Sequence, residues 1–470
     1  MLFPTVEFGI FFFIVFFISL ATMRFPEIRK FVLLAASYFF YAYWDWRFAL
    51  LLLFCSSNSY IFGRMLDSER SPQSRKQVII ISTIINLGVL GFFKYYGFFT
   101  HSFNSLLTSI GLPPTIPFLE VVLPVGISFF TFQAMSYVID VYRGDLEPSK
   151  SFSDVLLYIS FFPQLVAGPI VRAAHFLPQL KNSFDISQIQ TAKAATHIIG
   201  GLFKKVVIAN FLAEKIVDPV FTSPMQYSSI DVLFALYAYA VQIYCDFSAY
   251  SDIAIGIAYL FGYQFNENFD HPYRSLSVQE FWRRWHISLS TWLRDYLYIP
   301  LGGSRLGKLK TYRNLSITML LGGLWHGAAW NFVFWGALHG GALAIERMFT
   351  EKFGTKEKGI FGKIIAFILV FHFVCLTWIF FRASSFESAT EFINALLKFD
   401  FTPGILSPFI AFMIVFGIAT NFTPKSWGVT VRYYFSQLHP IAQGAIAGLL
   451  ISFIGAMGPE GVAPFIYFQF

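Results

Sequence analysis

Basic residues in this chain fall in short clusters separated by long apolar runs, and no other feature restricts its fold so strongly. Arg24 to Lys30, Arg64 to Lys76, Arg143 with Lys150, Arg305 to Arg313, Arg347 to Lys358 and Lys425 with Arg432 alternate with stretches dominated by Phe, Ile, Leu and Val. Hydrocarbon offers the backbone no hydrogen-bond partners, so such stretches fold as helices, and basic loops stay on the cytoplasmic side. Composition supports this: hydrophobic residues make up 56% and charged residues 13% of the 470, outside the range of soluble domains. The reading is an all-α polytopic integral membrane protein with about ten or more transmembrane helices. Re-entrant segments and a surface-lying amphipathic helix surround a central funnel, in a single domain over residues 1–470. A multi-pass place in a membrane follows.

The first apolar run, Phe8 to Met23, has Glu7 and no basic residue ahead of it, which predicts a retained first span with the amino terminus outside. Helices Phe31 to Tyr43 and Phe48 to Arg64 form a hairpin around Trp44-Asp45-Trp46-Arg47. Gln77 to Phe99 runs outward, His101 to Pro117 is an external loop, and Glu120 to Val141 returns. Phe161 to Ile170, broken by Pro163, Gly168 and Pro169, reads as a re-entrant element lining a cavity. Lys193 to Ala213 and Ile230 to Tyr263 are longer helices, and Asp246 and Asp252 on the second either line an aqueous path or pair with interior bases. Val278 to Pro300 sets Phe281, Trp285, Leu289, Trp292 and Leu293 against Arg283, Arg284 and Arg294, the pattern of a helix lying on the membrane surface. Ile364 to Phe381, Ile405 to Thr420 and Ile441 to Met457 complete the spans and leave the tail outside. The net charge of +7 belongs to loops and lipid headgroups, not to nucleic-acid binding. Cys55, Cys245 and Cys375 are isolated packing residues, and the sequence offers no metal site.

Ionisable chemistry enters the apolar sequence at Leu321-Gly-Gly-Leu-Trp-His326-Gly-Ala-Ala-Trp-Asn331, continuing to His339. Basic clusters on both sides require the segment to enter and turn back, with Gly322, Gly323 and Gly327 at the turn. Asn314 to Gly323 rises only about 15 Å, which places His326 near the midplane. A buried neutral imidazole there could take a proton from a hydroxyl, with Asn331 as a supporting residue; the alternative is a structural histidine bonding between helices. On a continuous helix His339 would lie roughly 220° around from His326 and face elsewhere. Arg283, Arg284 and Arg294 are candidates for the phosphates of a donor or for lipid headgroups. A transporter or flippase of an envelope precursor also buries carboxylates and breaks helices, but no repeat-related halves are visible. A haem carrier needs two histidines facing one cofactor, and the helical phase separates His326 from His339.

Five stretches carry a family resemblance. They are Phe162-Pro-Gln-Leu-Val-Ala-Gly-Pro-Ile-Val-Arg172, Gln242-Ile-Tyr-Cys-Asp-Phe-Ser-Ala-Tyr-Ser-Asp252, Glu280-Phe-Trp-Arg-Arg-Trp-His286-Ile-Ser-Leu-Ser, Leu293-Arg-Asp-Tyr-Leu-Tyr298 and Gly323-Leu-Trp-His326-Gly-Ala. Together, and nearly end to end, the chain resembles the membrane-bound O-acyltransferase superfamily, in particular its bacterial alginate O-acetylase branch. The resemblance implies an O-acyltransferase that uses acetyl-coenzyme A, binds no resident cofactor, and serves a periplasmic or other extracytoplasmic acetyltransferase partner acting on alginate, another exopolysaccharide or peptidoglycan. It matches His326 to the family's catalytic histidine and His286 to the histidine of its cytoplasm-facing motif, from which the donor could be held. The end, Phe465-Ile-Tyr467-Phe-Gln-Phe470, resembles the aromatic carboxy-terminal motif of the small companion protein of wall D-alanylation. Tyr467 is then an acyl carrier activated by His326, or else an interfacial anchor.

Overall fold

The computed structural model describes residues 3–66, 70–182, 185–354, 358–458 and Phe465, and every regular element among them is helical. Two compact units emerge, Met1–Gln190 with Ile257–Asn266, and Thr191–Gly256 with Glu267–Phe470.

In the first unit, α1 (Val6–Ala21), α2 (Pro26–Ala42) and α3 (Trp46–Met65) are joined by tight turns. Pro26 opens α2, where its missing N–H costs nothing, and the Asp45 carboxylate caps α3 by accepting from Arg47 N. α4 (Pro72–Leu90) continues through a π turn at Gly91–Tyr95 into α5 (Tyr96–Ser109). Gly126 and Gly144, both left-handed, bound the buried α6 (Ile127–Arg143). α7 (Phe152–Ser160), α8 (Phe162–Leu165) and α9 (Ala173–Leu180) follow. The backbone between α7 and α9 is irregular, and residues 161–171 are all buried. Phe162 N donates to Ser37 Oγ at 3.1 Å, and Gln164 Nε2 donates to Tyr158 O at 2.6 Å. Protein therefore satisfies the broken backbone, as its membrane setting requires. Around it, Phe8, Phe11, Phe40 and Phe261 pack their rings on Phe162.

In the second unit, α10 (Thr191–Leu202), α11 (Asn210–Leu212) and α12 (Asp218–Thr222) make one run interrupted by π turns at Phe203–Ala209 and Ala213–Val217. α13 (Ser229–Leu260) has 72% of its apolar window buried. Gly201 and Gly256 let α10 and α13 approach until a Cβ on either would meet the other helix's backbone. α14 (Val278–Arg284) and α15 (Ile287–Leu293) lead through a π turn to the hairpin of α16 (Lys308–His326) and α17 (Trp330–Phe353). The chain ends with α18 (Ile360–Arg382), α19 (Phe386–Leu396), α20 (Pro408–Ala419), α21 (Lys425–Ser436) and α22 (Pro440–Met457).

Among the described residues, six helices are long and apolar enough to cross a membrane by length and composition, or seven if α20 and α21, bent by 89°, form one broken span. α1 stops at 16 residues, while α16 and α17 are long enough but carry polar interior positions and charged outer ends. The expected loop from His101 is instead the rest of α5, whose Asn104 side chain binds Thr115 N and Ile116 N and O and so ties the following segment down. The surface helix expected over 278–300 breaks at Trp285 and His286. Finally, α16 runs 19 residues to His326, so the hairpin turns at Gly327–Ala329 rather than at Gly322–Gly323, and its tip lies about 28 Å from its start.

Candidate active site

The α16–α17 hairpin is built on backbone contact. A Cβ at Gly323 would collide with the Phe332 carbonyl, one at Gly336 with the Met319 carbonyl, and one at Gly327 with the Phe332 ring. Only glycine permits this closeness, and it sets His326, the last residue of α16, at the hairpin tip with 3% exposure. Its ring meets Trp325 at 5.0 Å, Trp335 at 5.2 Å and Phe381 of α18 at 5.2 Å, all edge to face. Asn331 holds the tip from the other side: its Nδ2 donates to Ala383 O at 2.6 Å, at the end of α18.

His286 reaches the same place by a strained turn. Ser277 caps α14 by accepting from Glu280 N, and Phe281 and Trp285 stack at 5.5 Å. The backbone then enters the left-handed region at His286 (φ 42°), which a non-glycine residue occupies only where its surroundings enforce it. The turn carries His286 inward to full burial, where its ring lies 4.5 Å from Phe247, 5.8 Å from Trp325 and 6.3 Å from His326. This corrects the surface position expected for His286. Asn268 supports the turn with both carbonyls: its backbone O accepts from Ile287 N at 2.9 Å, and its Oδ1 accepts from Ser288 N at 3.0 Å, from Ser288 Oγ at 2.9 Å and from His286 Nδ1 at 3.3 Å.

His339 is structural. Trp282 Nε1 donates to its Nδ1 at 3.3 Å, and its Nε2 donates to Thr377 Oγ1 at 3.0 Å. The phase argument that set it apart from His326 fails because the helix breaks between them; both rings pack on Trp335. The arginines divide. Arg284 binds Glu280 and Asp270, and Arg294 binds Asp295 through two bonds, so both carry compensated charges, while the exposed Arg283 hydrogen-bonds Gln279. Asp270 also meets His271, Arg274 and Lys425. Although burial opposes it, this ring of bases holds the Asp270 carboxyl below its ordinary value. Asp246 pairs with Lys205, and Asp252 with Lys204 and His197, so interior bases take both of these carboxylates. Tyr467 lies outside the described residues. Phe465, two residues earlier, is 2% exposed and packs on Tyr250 at 4.8 Å and on Phe247 at 5.6 Å, the same Phe247 that touches His286.

Sequence reasoning missed Asn268, Phe247, Trp335 and Phe381. Asn268 stands among loop-forming polar residues with nothing to distinguish it, and aromatic residues are too frequent here, at 20%, for any one to stand out.

A buried imidazole at a closed tip, with a second one beside it among aromatic rings, has the chemistry to take a proton from a hydroxyl. The chain belongs to the membrane-bound O-acyltransferase family, whose model matches residues 148–386, and it is an O-acyltransferase of the multi-pass membrane type. A "Probable alginate O-acetylase AlgI" of Pseudomonas syringae is 40% identical over 83% of this chain and 74% of its own length. That of Pseudomonas putida is 36% identical over 98% of each. A "Peptidoglycan O-acetyltransferase" of Helicobacter pylori is 37% identical over 82% of this chain and 77% of its own.

Proposed function

We propose that this enzyme takes acetyl from acetyl-coenzyme A in the cytoplasm and delivers it across the inner membrane for O-acetylation of an extracytoplasmic polysaccharide, an alginate-like exopolymer or peptidoglycan. The polymer class rests on what the similar proteins are named for. The observation that carries the mechanism is the burial of His326 beside His286, with the carboxy-terminal Phe465 joined to the pair through Phe247.

The acceptor hydroxyl is the Tyr467 phenol. What supports this choice is Phe465, two positions before Tyr467 in the sequence, which is buried against Phe247. The His326 imidazole takes the phenolic proton, and the phenolate oxygen bonds to the thioester carbonyl carbon. The C–S bond breaks, and the departing coenzyme A thiolate takes the proton back from the imidazolium. The acetyl-tyrosine ester then passes its acetyl to a hydroxyl of the extracytoplasmic partner, which returns a proton to the phenolate. The Trp325, Trp335 and Phe381 rings keep the ester from water. Donor phosphates fall to Arg283, which is exposed and hydrogen-bonds the neutral Gln279, whereas Arg294, also exposed, is held by Asp295.

The test is purified protein in liposomes given acetyl-coenzyme A. Free thiol release with an acetyl adduct on Tyr467 by mass spectrometry supports the relay. A Tyr467→Phe protein with full transfer activity would remove Tyr467 from the mechanism.

A further inference from the structure

We propose that Asn268 is the positioning residue that sets the tautomer of His286, and through it the side of the imidazole that faces the reaction. The proposal rests on the acyl-transfer reading for its kinetic consequence but not for its structural one.

The hydrogen bonds determine the tautomer without ambiguity of atom type. Ser288 N can only donate, so the Asn268 atom 3.0 Å away is the carbonyl oxygen. The amide nitrogen is then the atom that donates to Ser251 Oγ of α13, at 3.1 Å. The Ser288 hydroxyl has one proton to give; it lies 2.9 Å from Asn268 Oδ1 and 3.5 Å from His286 Nδ1, and the shorter contact takes it. His286 Nδ1 also lies 3.3 Å from that carbonyl oxygen, which offers no proton, so Nδ1 must supply its own. Nε2, on the far edge of the ring, therefore carries the lone pair.

Asn268 is 1% exposed, so water does not compete for its carbonyl oxygen. A second histidine in an aromatic box can present either a donor or an acceptor, and this network commits His286 to an acceptor. Its ring centroid is 6.3 Å from that of His326. Rings this close can both meet one hydroxyl held to the side of the pair. With His286 fixed this way, the hydroxyl that His326 deprotonates is oriented by an acceptor on its other side. The opposite tautomer would place a donor there and hydrogen-bond the oxygen lone pair needed for attack. In serine hydrolases a single neighbouring group fixes the tautomer of an active-site imidazole, and losing that control is costly.

The first measurement is solid-state nitrogen NMR of the full chain in liposomes with labelled histidine, the His286 signals being assigned by difference from His286→Gln among the nine histidines. Wild type should show Nδ1 protonated and Nε2 bare. A protonated Nε2 in wild type overturns the proposal whether or not the protein transfers acetyl. The second is turnover: Asn268→Ala should lower the maximal rate tenfold or more at unchanged donor requirement, and Asn268→Asp, which keeps the acceptor oxygens, should recover part of it. In a His286→Ala background the same Asn268→Ala change should alter the rate by less than twofold. A full tenfold loss there would make Asn268 a purely structural residue and overturn its positioning role. A wild-type protein that releases no coenzyme A would instead defeat the acyl-transfer reading, with the tautomer measurement still deciding for or against Asn268.

Discussion

Three buried histidines lie within one aromatic neighbourhood, and their surroundings give them different work. His326 sits at a helix end among indole and phenyl rings, His286 is strapped by Asn268, and both nitrogens of His339 are committed to Trp282 and Thr377. His326→Ala should therefore abolish acetyl transfer while protein yield from the membrane stays near wild type, since the change buries no charge. His339→Ala should do the reverse in part: it strands the Trp282 indole N–H and should cost about 1–3 kcal/mol of stability, read as a lower thermal midpoint in detergent. The histidine at 326 was legible in sequence because an imidazole amid apolar residues and glycines is conspicuous. The place of His286 was not, because helical periodicity carried Phe281 through Leu293 smoothly across a position where the backbone turns left-handed. Periodicity reports which faces are apolar and says nothing of a single residue that reverses the chain.

Among the elements, the α16–α17 hairpin and the broken α14–α15 pair place the site. Gly323 and Gly336 sit where the two hairpin helices touch through their backbones, so Gly336→Ala must spread the helices. The expected result is loss of folded protein by size-exclusion chromatography, not a change in donor affinity. The Arg-rich stretch invites a different pair of variants. Arg283→Gln should raise the acetyl-coenzyme A requirement with little change in maximal rate, as loss of uniform binding does. Arg284→Gln should instead weaken the fold, because Arg284 ties α14 to Asp270, which also meets Lys425 of α21. Since the Asp270 carboxyl is held below its ordinary value in the folded chain, its contribution is present above the unfolded carboxylate pKa of about 4 and is lost as pH falls through the folded value. Thermal midpoints measured from neutral to acid pH should fall more steeply for wild type than for Asp270→Asn. Helix limits came close to expectation for α3 and α22, within two residues at each end, but α2 starts at Pro26, five residues before the expected Phe31. They failed at π turns and at the hairpin, where packing against a partner helix sets the length and local propensity does not.

For the whole molecule, membrane character and family were readable from apolar runs, basic loops and five ordered motifs, because those signals are distributed along the chain. At the carboxy terminus Phe465 packs against Phe247, the residue that also touches His286. In the proposed reaction His326 activates the Tyr467 phenol to take acetyl from acetyl-coenzyme A. Incubation of liposome-borne wild type and His326→Ala with radiolabelled acetyl-coenzyme A, followed by proteolysis and mass spectrometry of the terminal peptide, measures this directly. Label on Tyr467 in wild type and none in His326→Ala is the predicted result; equal labelling of both proteins would contradict it.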